Sequence, residues 1–409
     1  MKEEIFFMKK LSLCLILPLM LAMLGGCASG SGSSGSTGSS GGKKSSGVDN
    51  GEMRSGFTAM TCAKEMGIGI NLGNTFEAYW EDTGREFTGA QTIGENTPQN
   101  YETCWGAVVT TPECIDGMKS AGFNTVRIPV YWGNMMENDG NYNINADYIA
   151  RVKEVVDYCR KNDMYVIINI HHYDEFLIKH QEKEEVLKAV AHLWEQIAEY
   201  FKDYSDYLVF EGYNEALGTP KEENGWTERS DEAYAYVNDM NQVFVDTVRK
   251  SGGNNADRIL IASGYWTNID NTTNENFKMP EDSASDKMMI SVHYIDNAIY
   301  WTNQVGGTRW IDYSTEQCEL LKNRFTAENI PVFVGECTSV YTADHYAHNA
   351  EYTDSSETMH YILDMAVDYG FVPVLWDTND NFYSRTENKI KSDSDQTAVT
   401  EVAERIQKS

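Results

Sequence analysis

Eight short β-rich runs recur along the chain, each separated from the next by a longer stretch with apolar residues at helical spacing. They are GIGINLG (67–73), NTVRIPVYW (124–132), YVIINIHHY (165–173), LVFEGYNE (208–215), ILIASGYW (259–266), MMISVHYI (288–295), PVFVGECT (331–338) and PVLWDTN (373–379). Between them Ile149, Val152, Val155, Val156 and Cys159, or Val186, Val190, Leu193, Trp194 and Ile197, share one helical face. Pro112 opens one such stretch, and Gly122 and Gly370 follow others, as helix starts and stops require. Strict alternation of strand and helix predicts parallel pairing, because each crossover returns the chain to the same end of the sheet. Eight units predict an α/β fold of the (β/α)8 barrel type, a single catalytic domain over residues 53–409. The rival, a doubly wound open sheet, carries a ligand loop where its strand order reverses. No glycine-rich phosphate loop occurs here.

Polar residues close almost every run: Asn71 and Asn74, Arg127, His171 and His172, Asn214 and Glu215, His293 and Tyr294, Glu336, and Trp376. In a barrel, the C-terminal strand ends share one mouth, where each strand contributes single side chains to a pocket. Glu211, four residues before Glu215, shares its parity and is expected one layer deeper in the barrel. An ionised carboxylate there needs a partner, and Arg127 is the candidate.

The ends of strands 4 and 7 bring Glu215 and Glu336 to the mouth from opposite sides. Two carboxyl groups flanking a pocket suit glycosidic cleavage, in which one protonates the leaving oxygen and the other attacks the anomeric carbon or activates water. A separation of about 5 Å predicts retention, and roughly 6.5–9.5 Å predicts inversion. The acid must hold its proton near neutral pH, and Asn214 is a neutral neighbour for Glu215, whereas a guanidinium beside Glu336 favours its ionised form. Glu215 is therefore read as acid/base and Glu336 as nucleophile.

The formal net charge of −29 disfavours nucleic acid and anionic lipid as partners. Residues 1–27 read as an export signal: Lys9-Lys10, an apolar run, then LGGC ending at Cys27. The pattern resembles a bacterial lipoprotein signal with Cys27 as the lipidated residue, so any membrane association is expected through that anchor alone, and the protein at the cell surface or outside the cell. Residues 28–52 are rich in Gly and Ser and read as a flexible linker. Six later cysteines match no disulfide or metal framework. A monomer is expected.

The strings GINLGNTFEA, AGFNTVRIPVYW, IINIHHY, FEGYNEA, SVHY, FVGEC and LWDTND, in this order, resemble glycoside hydrolase family 5, the cellulase A family, over roughly residue 60 to the C-terminus. The resemblance implies a retaining endo-acting hydrolase of β-1,4-glucan or a related plant polysaccharide, working without a cofactor or metal. It implies that Arg127 orients the nucleophile Glu336, that Asn214 bonds the sugar 2-hydroxyl and Glu215 is the acid/base. His171 and His293 support catalysis, Trp376 is the sugar platform, and His172, Asn74 and Glu77 bind substrate. The sequence departs from the family pattern twice: Asn214-Glu215 is followed by Ala216 rather than proline, and His293-Tyr294-Ile295 replaces His-x-Tyr, with Tyr294 the candidate for the tyrosine that supports the nucleophile. The same mechanism on xyloglucan, mixed-linkage glucan, mannan or xylan is the alternative. A metal-dependent barrel hydrolase using His171, His172, His293 and Glu336, and a catalytically silent carbohydrate-binding barrel, are the readings from other classes. Adjacent histidines in a strand tend to face opposite ways, which suits chelation poorly.

Overall fold

Each of the eight runs forms a strand, and the strands close on one another. The computed structural model describes residues 48–80, 92–217, 227, 229–293, 309–338, 355–379 and 381–408. Its strands are β1 (Gly69–Asn71), β2 (Thr125–Ile128), β3 (Tyr165–Ile170), β4 (Leu208–Tyr213), β5 (Leu260–Ser263), β6 (Met288–His293), β7 (Val332–Thr338) and β8 (Val372–Trp376). All neighbours are parallel, and β1 pairs with β8 through Gly69 and Val374, so the sheet is a closed barrel in chain order. That pairing removes the open-sheet rival. Most strands stop short of their runs: Asn74, His172 and Glu215 lie beyond the last paired residue, in the loops that form the mouth.

Helices surround the barrel: α1 (Ala59–Met66), α2 (Pro98–Glu102), α3 (Pro112–Ser120), α4 (Ala146–Lys161), α5 (Tyr173–His180), α6 (Lys183–Phe201), α7 (Asp231–Ser251) and α8 (Ile269–Thr273), followed by Arg309–Arg324, Ser355–Asp368 and Asp393–Lys408. Local chemistry sets their ends. Thr111 accepts from the Cys114 N–H ahead of Pro112 to start α3, and Gly370 takes φ +75° just after Ser355–Asp368. A small hairpin, β9 (Tyr383–Ser384) and β10 (Lys389–Ile390), follows β8.

The apolar core has two parts. One lies between barrel and helices; the other fills the lower barrel, where Ile167, Val209, Ile261, Met289, Phe333 and Val374 meet Phe57, Cys62 and Met66 from the segment that closes the base. Asp49 anchors that segment: buried, it accepts from Arg160 Nε at 2.6 Å and Ser205 Oγ at 2.7 Å. Packed structure therefore begins within the last residues assigned to the linker. The remainder of the linker and the signal, Cys27 included, lie outside the described residues. Cys62, Cys114, Cys159, Cys318 and Cys337 are buried thiols and Cys104 is half-buried, none in a disulfide.

Candidate active site

The polar strand ends assemble around one guanidinium. Arg127, fully buried, donates from Nε to Glu211 Oε2 at 2.7 Å, from Nη1 to Asn71 Oδ1 and Glu336 Oε1, both at 3.0 Å, and from Nη2 to Asn214 Oδ1 at 2.9 Å. Strands 1, 2, 4 and 7 are thus tied together at the level of the mouth. Glu211 has the partner its position demanded, and it also accepts from Asn169 Nδ2 at 2.9 Å and Ser291 Oγ at 2.8 Å. With that saturation, its two oxygens face the barrel interior rather than a substrate.

Glu215 and Glu336 converge as expected. One carboxylate oxygen of each, with one ring nitrogen of His293, lie within 4.8 Å of one another. His293 Nδ1 is 3.1 Å from Glu215 Oε1 and 3.8 Å from Glu336 Oε2. The β4 end that carries Glu215 is held from behind by Ser263, whose Oγ lies 2.9 Å from the Tyr213 carbonyl and 2.8 Å from that of Asn214. Glu336 sits where β6 and β7 shift register, opposite His293.

The two acid neighbourhoods differ. Burial pushes the Glu215 carboxyl up to about 7, helped by the negative charge of Glu175 and opposed by His172, Arg127 and a Trp266 hydrogen bond. About a quarter of its side chain, 26%, remains open to solvent. Burial, against the pull of Glu336, lowers His293 to about 4, so near neutral pH the imidazole is uncharged and its contact with a protonated Glu215 is a hydrogen bond rather than an ion pair. His171 is buried and held well below the usual histidine range by desolvation first and by its cationic neighbours second; its ring lies 6.2 Å from Trp376 at 20°. Burial opposes protonation of His172 as well, but its Nδ1 lies 3.2 Å from Glu175, and that carboxylate with Glu77 and Glu215 raises it to about 9.

Among the residues expected to bind substrate, Trp376 closes β8 at the mouth, half-buried. His172 stands in the left-handed region at the start of α5, φ +63°, which points it toward a wall of Tyr79 and Trp105, ring centroids 6.3 and 6.2 Å away. Trp105 and Trp80 are 38% and 48% exposed. Glu77 is buried, and its carboxylate accepts the Asn74 and Thr75 backbone N–H groups, so it shapes the β1 loop from within. Burial raises it to about 7. Tyr294 lies outside the described residues. Trp132 is core, its Nε1 on the Asn169 carbonyl at 2.8 Å.

Asn169, Ser263 and Ser291 also hold the site together but carry no role in the sequence reading, which named Asn71 only as a strand end. Their signal was available: each is a polar residue on a strand of a barrel otherwise filled with apolar side chains. The ligand set of the metal-dependent alternative is not assembled as written. Among the described residues the only His, Cys, Asp or Glu group close enough to hold an ion is Glu215, His293 and Glu336, without His171 or His172.

The family model described as Cellulase (glycosyl hydrolase family 5) matches residues 83–382. The chain belongs to glycoside hydrolase family 5. It is 37% identical to endoglucanase A of Clostridium longisporum over 344 residues, 81% of this chain; it spans 61% of the length of that relative. A GH5-4 broad specificity endoglucanase from an uncultured bovine rumen ciliate superposes with a TM-score of 0.71 at 34% identity, covering 85% of this chain and 99% of that one. A Bacteroides ovatus GH5 xyloglucanase, in complex with a XXXG heptasaccharide, superposes with a TM-score of 0.74 at 27% identity, over 87% and 78% of the two chains. The resemblance read from the seven motifs is borne out, as are the barrel and the expectation of an endo-acting β-glucan hydrolase from a retaining family.

Proposed function

We propose that this family 5 hydrolase cleaves β-1,4-glucan by double displacement, with Glu336 as nucleophile and Glu215 as acid/base. The observation that carries the assignment is the approach of one oxygen of each carboxylate to within 4.8 Å of the other, closer to the separation of about 5–5.5 Å that suits direct attack than to the roughly 6.5–9.5 Å that leaves room for a water. In the first step a Glu336 oxygen bonds the anomeric carbon while the Glu215 proton passes to the departing glycosidic oxygen. In the second, Glu215, now a carboxylate, takes a proton from water as that water attacks the anomeric carbon and releases Glu336. A carboxyl that keeps its proton to about pH 7 is suited to the first task. Arg127 fixes Glu336 and Asn214 in one plane of hydrogen bonds, so neither has to reorganise during attack.

The supporting roles follow the same geometry: His293 between the two acids, His171 under Trp376, Asn214 at the sugar 2-hydroxyl, Trp376 as platform, and His172 and Asn74 along the cleft. Cellulose-type glucan is the preferred substrate, and xyloglucan is the second reading, favoured by the likeness to the Bacteroides ovatus xyloglucanase. Export through residues 1–27, lipidation of Cys27, a surface tether through residues 28–52 and a monomeric state complete the reading; the LGGC sequence supports the anchor. Proton NMR of fresh hydrolysate on soluble cello-oligosaccharide tests the chemistry. The β-anomer as first product supports double displacement, and the α-anomer overturns it. A viscosity assay on glucan and xyloglucan ranks the substrates.

A further inference from the structure

Trp376, the last residue of β8, packs against the backbone of the β1 loop. The six-membered ring of its indole lies close against Gly73: a Cβ built on that glycine would meet Trp376 Cζ2 at 2.9 Å and the Asp377 carbonyl oxygen at 2.7 Å. The platform can therefore stand no nearer β1 than the Gly73 backbone allows, and any shift of the β1 loop moves it. The Gly73 N–H donates to the Asp377 carbonyl at 3.0 Å and ties the two loops directly.

A second tie comes from outside the barrel. Arg385, just after β9, is buried and sends its guanidinium back beneath the mouth. Nη1 donates to Thr75 Oγ1 at 2.6 Å, and Nη2 donates to the carbonyls of Gly73 at 3.0 Å and Asp377 at 2.8 Å. Thr75 Oγ1 in turn donates to the Gly73 carbonyl at 3.1 Å. The hairpin start is held in place by Asp377, whose Oδ1 accepts the Phe382 and Tyr383 N–H groups at 3.2 and 3.3 Å. Nη2 alone thus joins the two backbones beside the indole while Nη1 holds Thr75, and the fixed spacing of the two nitrogens sets all three acceptors at once, which a single ammonium nitrogen does not.

We propose that Arg385 is a positioning residue for the hydrolysis, setting the Trp376 indole at the height needed for sugar stacking by clamping the Gly73 and Asp377 loops together. The proposal rests on the reading of Trp376 as a substrate platform. Displacement by about 1 Å at such a site costs up to ~100-fold in rate, so a clamp two residues removed from substrate has a measurable effect.

A double-mutant cycle in kcat/KM on a soluble cello-oligosaccharide separates this from simple support of the β9–β10 hairpin. Trp376→Ala, Arg385→Met and the pair are compared with the parent. A clamp acting through the indole predicts that Arg385→Met alone loses about tenfold and that the pair loses no more than Trp376→Ala alone, within about twofold. Losses that multiply overturn the proposal, because Arg385 then acts independently of the platform. If Trp376→Ala itself costs nothing, the platform reading fails and the proposal falls with it, a result visible in a different arm of the cycle. Thr75→Val removes a single partner of the fork and is run in the same cycle with Trp376→Ala, so the test stands if Arg385→Met does not fold; its loss must likewise vanish in the Trp376→Ala background.

Discussion

Two layers of the same barrel interior, two residues apart along the strands, have opposite chemistry. The lower layer is apolar: Ile167, Val209, Ile261, Met289, Phe333 and Val374. One step up, at the same parity, stand Asn169 above Ile167, Glu211 above Val209, Ser263 above Ile261 and Ser291 above Met289, with Asn71 and Arg127 beside them. All are buried. The lower layer stabilises by removing apolar surface from water, tolerating any well-packed substitute of similar volume. The upper layer gains little net stability from its buried charges, because desolvation offsets most of the attraction. What it secures is geometry, a fixed platform on which Glu215 and Glu336 face each other. The buried carboxylate inside an apolar strand is accounted for by this division: Glu211 belongs to the upper layer, and Glu215 stands above it at the mouth, where the proposed chemistry needs it.

The sharpest contrast comes from the two acids proposed to react. Glu336→Gln keeps the shape of the site and removes the attacking charge; kcat is expected to fall by at least ~1,000-fold while oligosaccharide binding by calorimetry persists. Next is the pair of positions on β4. Glu211→Gln leaves Arg127 short of a counter-charge, and loss of one partner of a buried pair costs about 3 kcal/mol in denaturant unfolding; Val209→Ala, one layer down, should also cost about 2 kcal/mol but leave kcat unchanged once folded. Equal kcat losses at both positions would erase the distinction between the layers.

Smaller effects concern protons. With Glu215 at about 7, kcat/KM should fall on the alkaline side near that pH. Asp174, buried with neither oxygen hydrogen-bonded among the described residues, is raised by burial first and Glu175 second to about 8. A carboxyl that binds its proton more tightly folded than unfolded contributes stability that is full below about pH 4 and lost as pH rises through about 8. Asp174→Asn should therefore raise the Tm relative to the parent by ~2 °C more at pH 9 than at pH 5.

Much of this was legible beforehand. Periodicity and strand-end polarity were enough for the barrel, because each depends only on local spacing, and parity alone placed Glu211 beneath Glu215. The clamp by Arg385 was not legible: that residue lies in a hairpin beyond the eighth strand, and only folding brings it under Gly73. Nor did sequence distinguish Glu77, a plausible sugar contact by position, from the buried acceptor of its own loop that the structure contains.

The central claim is that Glu336 bonds the sugar while Glu215 moves the proton. A cellobiosyl fluoride with fluorine in place of the hydroxyl beside the anomeric carbon forms the covalent intermediate readily and releases it slowly, so mass spectrometry of digested protein can locate the bond. The account predicts a single labelled peptide, modified at Glu336; a label on Glu215, or full inactivation without any covalent adduct, would contradict it.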